Sequence, residues 1–207
     1  MRMRYEGMSH ESIFTEIHKR NRWGGISKSG SGSDLVQTKT IRDELPKLLE
    51  EYNVRSLLDI PCGDFYWMKE LNLNSLSYIG ADLVDEIINN NKKNFQKENR
   101  TFIKLDILSQ DLPKVDLIFC RDLFVHFSFN DITKSVNKIK ASGSDYLLTT
   151  SFTETKSNRD IVTGEWRKLN LEIAPFSFPS PLKVINEGSS ERDASDKSLL
   201  LWKISSL

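Results

Sequence analysis

The sequence contains little cysteine, no long apolar run and no excess of charge of either sign. Its 207 residues include two cysteines, and 29 Lys and Arg balance 29 Asp and Glu. Two cysteines do not make a disulfide framework, and no apolar run approaches the roughly 20 residues of a membrane helix. Balanced charge argues against a partner that is bound mainly through phosphates, because such binding needs clustered Lys and Arg. We therefore expect a cytoplasmic protein that binds neither nucleic acid nor membrane.

Targeting and metal-binding patterns are missing as well. The N-terminal residues, MRMRYEGMSHES, have no apolar stretch of the kind a secretory signal needs. No Cys and His residues have the spacing of a zinc site. Asp122, Asp131 and Glu154 could supply oxygen ligands, but no spacing requires a metal ion. We assign no residue to a metal.

Short apolar runs alternate with helical patterns after residue 55, which is typical of a parallel sheet with helices on both faces. Two further apolar runs near the C-terminus, separated only by a polar loop, predict an antiparallel hairpin at the sheet edge. The predicted strands are 56–60, 76–83, 101–108, 116–120, 145–152, 182–186 and 198–204, and the predicted helices of this part are 65–71, 84–96 and 130–141.

The N-terminal part predicts two helices around a loop rich in Gly and Ser. The first covers 12–22, and the second covers 34–52 with Asp34 as a possible N-cap and a kink or a new helix at Pro46. The loop Ser27–Ser33 is either a lid or a flexible linker. We expect one domain over residues 1–207, with 1–52 as cap and lid loop and 53–207 as core.

Acidic residues follow the first three predicted strands at corresponding places. In an open parallel sheet, ligands bind beyond the carboxyl ends of the strands. Asp82 can accept both ribose hydroxyls there, and Asp106 can accept an adenine amino group, so the pattern favours a nucleoside ligand. Taken singly, Asp82 also fits a helix N-cap and Asp106 a turn.

The turn after the first strand is Asp59-Ile60-Pro61-Cys62-Gly63-Asp64. It lacks the G-x-G-x-x-G pattern that presents a helix start to a pyrophosphate, which argues against a dehydrogenase. The carboxylate of Asp64 would repel a pyrophosphate but is compatible with a cationic ligand.

These strand ends resemble those of the class I S-adenosylmethionine-dependent methyltransferases over roughly residues 55–152. The resemblance implies a Rossmann-like α/β fold, a mostly parallel sheet of seven strands with a C-terminal antiparallel hairpin and an N-terminal helical cap. It implies S-adenosyl-L-methionine as cofactor. A bacterial subgroup often found beside surface-polysaccharide genes is similar in Trp23-Gly24, Ser29–Ser33, 59–64, Cys120-Arg121-Asp122 and Ala174-Pro175-Phe176.

Roles for individual residues follow from this resemblance. Asp59 would orient the glycine turn and reach the methionine amino group, and Gly63 would let the backbone approach the cofactor. Asp82 would bind the ribose hydroxyls, while Asp106 and Ile107 would hold the adenine. Cys62 and Cys120 fit small buried residues better than nucleophiles. The assigned cofactor-binding residues are Asp59, Cys62, Gly63, Asp64, Asp82, Leu83, Asp106, Ile107 and Arg121.

His126, after the fourth strand, is the candidate general base, because an imidazole is suited to take the proton of a hydroxyl acceptor. It is equally a structural histidine in the aromatic segment FVHFSF. Asp122, the second catalytic candidate, can orient His126, bind a substrate amine or pair with Arg121. His10 and His18 are expected at the surface.

The predicted reaction is in-line transfer of a methyl group to the hydroxyl of a sugar or glycan precursor. The alternatives are an amine, a carboxylate or a phosphorus-linked acceptor, or a methyltransferase-like module that binds without turnover. Nucleic-acid methylation is disfavoured, because no Asn/Asp-Pro-Pro-Tyr sequence follows the fourth strand. Neither the acceptor nor the oligomeric state follows from the sequence.

Overall fold

A computed structural model describes residues 5–191 and 193–207. Helices and strands alternate through most of the chain, as the apolar pattern predicts. The helices in these ranges are α1 His10–Lys19, α2 Lys39–Glu51, α3 Asp85–Phe95 and α4 Phe129–Ala141. The strands are β1 Ser56–Asp59, β2 Ser77–Asp82, β3 Arg100–Lys104, β4 Leu117–Cys120, β5 Tyr146–Phe152, β6 Lys183–Asn186 and β7 Lys197–Lys203.

The seven strands form one sheet in the order β3-β2-β1-β4-β5-β7-β6. The first five strands are parallel, and β7 runs antiparallel between β5 and β6. This confirms the predicted fold class and the C-terminal antiparallel hairpin. The strand order reverses between β1 and β4, so the connections after these two strands leave in opposite directions. A crevice therefore opens beyond their carboxyl ends.

The sheet has a hydrophobic core on each face, because successive side chains of a strand point to opposite sides. Leu57 packs in the core that includes Ile41 and Leu45 of α2. Leu58 packs in the core that includes Ile132 of α4. Strands that are apolar at every position are thus covered on both faces, which is why they read as continuous apolar runs in the sequence.

Two predicted helices differ from the structure. The second helix starts at Lys39, because the Asp34 carboxylate accepts the N–H of Ile26 at 3.2 Å and does not cap the helix. Pro46 lies inside this helix, and no second helix begins there. Residues 65–71 form only a short 3₁₀ turn, Met68–Glu70, after a left-handed backbone at Phe65 (φ 59°). A residue with positive φ cannot continue a right-handed helix.

Candidate active site

All eleven residues predicted to bind cofactor or take part in catalysis line one cavity at the carboxyl ends of the parallel strands. They come from the loops after β1, β2, β3 and β4, which the reversal of strand order brings together. Residues of α1 and of the Ser27–Ser33 loop close the cavity from the other side. Residues more than 60 positions apart in the sequence thus meet in one site.

Asp59 lies at the end of β1 with its side chain buried. Its Oδ2 accepts a hydrogen bond from the Tyr78 hydroxyl. Burial raises the pKa of Asp59 to about 8, although the Tyr78 bond favours the ionised form. The carboxyl group therefore holds a proton at neutral pH until a cation nearby favours its release.

Asp82 joins the glycine turn to the start of α3. Its Oδ2 accepts the N–H of Gly63 at 3.2 Å, and its Oδ1 accepts the N–H of Val84 at 2.9 Å. Burial raises the pKa of Asp82 to about 6, against the effect of these two bonds. A helix N-cap does not explain this aspartate, because the N-cap position of α3 is Val84. Each carboxylate oxygen keeps a lone pair for a ligand.

The Ser27–Ser33 loop lies directly on the glycine turn. The Asp64 carboxylate accepts bonds from the Ser27 hydroxyl (2.9 Å), the Lys28 N–H (3.0 Å) and the Ser29 hydroxyl (3.2 Å). A Cβ atom at Gly63, where φ is +54°, would lie 2.2 Å from the Ser29 Oγ. Only glycine fits there, and the loop is tied to the core at this end.

A buried ion pair ties down the other end of the loop. Arg121 makes a two-point contact with Glu187, with Nε at 3.2 Å from Oε1 and Nη2 at 2.7 Å from Oε2. Its Nη2 also donates to the Gly32 carbonyl at 2.8 Å. Removing one partner of a buried pair leaves an unpaired buried charge. Glu187 was not singled out from the sequence, because it stands in a run of polar residues without any apolar pattern.

Asp122 is held among cations. Its Oδ2 lies 2.7 Å from the Lys197 ammonium and 3.3 Å from the Arg121 Nη1, which confirms the pairing with Arg121 as one of its predicted roles. Burial opposes ionisation, but Arg121 and Lys197 outweigh it and keep the pKa of Asp122 well below its usual range. The carboxylate is therefore ionised at neutral pH.

His126 is buried, and its ring lies against the indole of Trp23, with centroids 4.5 Å apart and planes 24° from parallel. Its Nδ1 lies 2.9 Å from the Glu165 backbone carbonyl oxygen. A carbonyl oxygen only accepts, so Nδ1 carries the proton and Nε2 has the lone pair. Burial lowers the pKa of His126 to about 4, although the Glu165 bond favours the charged form. Glu165, and not Asp122, orients the imidazole.

Asp106 forms the turn that its sequence also allows. Its Oδ1 accepts the Leu108 N–H at 3.0 Å, and its Oδ2 accepts the Ser109 hydroxyl at 2.7 Å. Leu83 and the buried Ile107 contribute apolar surface to the cavity near it. An apolar slot with an acidic group at its edge suits a purine ring and its amino group.

Of the two histidines of α1, His10 is partly exposed, whereas His18 is buried, contrary to expectation. His10 lines the cavity and has its Nε2 3.1 Å from the Asp131 Oδ2, and His18 lines it with only 5% of its surface exposed. Phe14 lies on the same face of α1. The spacing 10, 14, 18 places all three on one side of a helix, which is the sequence signal that could have identified them.

The two cysteines are buried, as predicted. Burial raises the pKa of both thiols, so neither is a thiolate nucleophile at neutral pH. In the described ranges 5–191 and 193–207 no group of three or more Cys, His, Asp or Glu side chains is placed to hold a metal ion. No helix within those ranges is long and apolar enough to cross a bilayer.

Residues 58–142, which carry most of the cavity, match a family model described as "Methyltransferase domain". This segment is similar to methyltransferase domains. The match and the sheet order together confirm the prediction of the S-adenosylmethionine-dependent methyltransferase class and its cofactor.

Proteins of known structure share the fold of this chain at low sequence identity. The magnesium protoporphyrin IX methyltransferase of Synechocystis, solved with bound SAH, has a TM-score of 0.62 at 12% identity over 93% of this chain and 95% of its own. Human N-acetylserotonin methyltransferase, in complex with SAM, has a TM-score of 0.65 at 14% identity over 95% of this chain and 60% of its own.

A curated relative is phosphoethanolamine N-methyltransferase of Triticum aestivum. It is 26% identical over 180 residues, which are 80% of this chain and 34% of the wheat enzyme. The chain thus spans about a third of the length of that relative. The relatives named here are named for different acceptors, so the structural likeness identifies the fold and not the acceptor.

Proposed function

We propose that the chain transfers a methyl group from S-adenosylmethionine to a hydroxyl oxygen, with His126 as the general base. The observation that carries this proposal is the neutral imidazole of His126, which is oriented by the Glu165 carbonyl and lines the same cavity as Asp59 and Asp82. A hydroxyl must lose its proton as it attacks carbon, and the free Nε2 is the atom able to accept it.

The cavity fits the cofactor residue by residue. Gly63 has no Cβ, so the backbone of the turn can approach the ligand closely. Asp82 offers one free lone pair on each oxygen to the ribose hydroxyls, and Asp59 lies within the same cavity for the methionine ammonium group. Leu83 and Ile107 would pack on the two faces of the adenine. The bound sulfonium supplies a methyl group that is already activated for transfer.

The protein's main contribution is alignment of the acceptor, and the base is secondary. Correct positioning of two reactants is worth about 7–11 kcal/mol in intramolecular reactions. General-base catalysis contributes 10²–10⁴-fold, or about 3–5 kcal/mol. The Ser27–Ser33 loop, docked on Asp64 and Arg121, keeps water from the cavity in this account.

We further propose that the acceptor is a sugar or glycan precursor. The side of the cavity next to His126 is lined by the rings of Trp23, Phe14 and Phe127, which contact one another in a row. Flat apolar rings of this kind can pack against the C–H face of a pyranose, while its hydroxyls reach His126 and the ionised Asp122. The resemblance to the bacterial subgroup beside surface-polysaccharide genes also supports a sugar.

An amine acceptor is the second candidate, and Asp122 favours it. Its carboxylate is ionised and lines the cavity, so it could hold an ammonium group. The wheat relative is named as an N-methyltransferase. A neutral amine attacks with its own lone pair and depends less on a base.

Transfer of a labelled methyl group separates the two candidates. Hydroxyl-bearing sugars and the matched amino sugars are offered to wild type and to His126→Gln. The proposal predicts label in the hydroxyl series and a loss of at least 100-fold in the variant. Label only in the amino series, with the variant as active as wild type, would support the amine candidate.

A further inference from the structure

His18 is a buried histidine whose ring nitrogens form no well-aligned hydrogen bond within the described residues, although its Nε2 lies at ion-pair distance from Glu86. Only 5% of its surface is exposed, and neither ring nitrogen makes a hydrogen bond to any residue in the part of the chain that the structure describes. The nearest acidic atom, the Glu86 Oε1, lies 3.5 Å from Nε2 and outside hydrogen-bonding geometry. Buried polar groups without partners are rare, and each calls for an explanation.

The position of His18 points to a ligand in the cavity. Its side chain lines the same cavity as Asp82 and Leu83. Glu86, its neighbour, stands in the first turn of α3, four residues after Asp82, and pairs with Lys28 of the loop at 3.6 Å. His18 therefore lies on the β2–α3 side of the cavity, which carries the carboxylate proposed to bind the ribose.

The chemistry of a neutral imidazole matches a ribose hydroxyl. Burial lowers the pKa of His18, which favours the neutral ring even though Glu86 favours the charged one. A neutral ring offers one N–H donor and one acceptor nitrogen. A hydroxyl is also both donor and acceptor, so either tautomer can pair with it.

We propose that His18 hydrogen-bonds a ribose hydroxyl of the adenosyl group, so that α1 completes the cofactor site on the side of Asp82. This inference rests on the proposed cofactor site, and it adds a contact that the β-strand loops do not supply. His18 is thus proposed as a cofactor-binding residue. His10, about two turns earlier on the same face of α1, has its Nε2 engaged by Asp131 instead.

Calorimetry of S-adenosylhomocysteine with wild type, His18→Phe and His18→Gln tests the proposal. Phe keeps an aromatic ring of similar size without hydrogen bonds, and Gln keeps a donor and an acceptor. We expect roughly tenfold weaker binding for His18→Phe, from the loss of one hydrogen bond, and partial recovery for His18→Gln. The control is Lys19→Ala on the same helix, an exposed residue outside the cavity lining, which should bind within about twofold of wild type because it removes no cofactor contact.

A second ligand identifies the atom involved. 5′-Methylthioadenosine and its 2′- and 3′-deoxy analogues are titrated into wild type and His18→Phe. If His18 binds a ribose hydroxyl, deleting that hydroxyl weakens ligand binding to wild type about tenfold but leaves ligand binding to His18→Phe unchanged. Equal losses in both proteins would overturn the inference. Absence of S-adenosylhomocysteine binding to wild type would instead contradict the proposed function itself. Should His18→Phe not fold, judged by its thermal transition, His18→Gln is tested with the same analogues.

Discussion

The Nδ1 atom of His126 lies 2.9 Å from the backbone carbonyl oxygen of Glu165. This one contact determines which ring nitrogen carries the proton, and so leaves Nε2 as the basic atom. The carbonyl belongs to the segment after β5, and the imidazole follows β4, so packing of these two connections sets the direction of the base. The stacked Trp23 ring holds the imidazole from the side of the N-terminal cap.

Removing the proposed base, His126, should slow turnover without weakening cofactor binding. We expect His126→Gln to lower kcat by 10²–10⁴-fold, the usual contribution of a general base. Affinity for S-adenosylhomocysteine should stay within about twofold, because no cofactor contact is assigned to this side chain. Steady-state kinetics and calorimetry on the same preparation check both points. A variant that loses turnover and S-adenosylhomocysteine binding in parallel would show that His126 has a structural role instead.

The pH dependence of kcat/KM should show the low pKa of this histidine. Because burial lowers the pKa of His126 to about 4, the ring is neutral and able to accept a proton at every pH well above 4. Activity should therefore show no titration of His126 above about pH 5 and should fall as the pH approaches 4. A plateau that begins only above pH 6.5 would mean that the imidazole titrates like an exposed one.

Asp59→Asn should stabilise the fold at alkaline pH. The folded pKa of about 8 lies above the unfolded value of 3.8, so the native state binds the extra proton between these values. Stability of wild type then falls as pH rises from about 4 to 8, whereas the amide has no such cost. We expect the variant to be more stable by roughly 2–5 kcal/mol at pH 8 and near wild type at pH 4.

Urea unfolding of the two proteins at both pH values measures this difference. A difference in unfolding free energy between wild type and Asp59→Asn that does not change with pH would contradict the raised pKa of Asp59. The same variant should bind S-adenosylhomocysteine more weakly, since it cannot carry the negative charge proposed to meet the methionine ammonium group. Stability gained at the expense of binding is the expected behaviour of a functional buried charge.

The parallel sheet could be predicted because its strands are apolar on both faces and are separated by helical patterns. Seven strands appear near their predicted positions, and the acids at their ends meet in one cavity as the topology requires. The failures have local causes. Residues 65–71 have a helical composition, but tertiary packing of Phe65 and Trp67 in the core imposes another backbone.

The side of the site formed by the cap was less predictable. His18 and Trp23 come from the N-terminal part, and Glu187 comes from a polar loop 66 positions after its partner Arg121. No local pattern encodes such distant pairs, because their energy comes from contacts that exist only in the folded chain. The helical spacing of His10, Phe14 and His18 was the one available signal.

The loop on the glycine turn gives a steric test of the closed arrangement. Gly63→Ala places a Cβ 2.2 Å from the Ser29 Oγ at a positive φ, so the loop must move. We expect faster release of S-adenosylhomocysteine, by about tenfold, in stopped-flow displacement. Adding Ser29→Gly to Gly63→Ala removes the clash and should bring the release rate part of the way back to that of wild type. The backbone strain at position 63, about 1–2 kcal/mol, would remain. No recovery in the double variant would show that the loop does not rest on this turn in solution.

Carboxylates from separate strand ends are proposed to converge on one adenosyl group. Substitution of Asp82 is the sharpest test of this convergence. Calorimetry of S-adenosylhomocysteine compares wild type, Asp82→Ala and the control Asp85→Ala, whose exposed side chain pairs with Lys104 outside the cavity lining. We expect one binding site per chain, with an affinity that the control substitution leaves unchanged. We expect binding at least tenfold weaker in Asp82→Ala, which loses charged hydrogen bonds to the ribose. Equal affinity in all three proteins would contradict the proposed convergence.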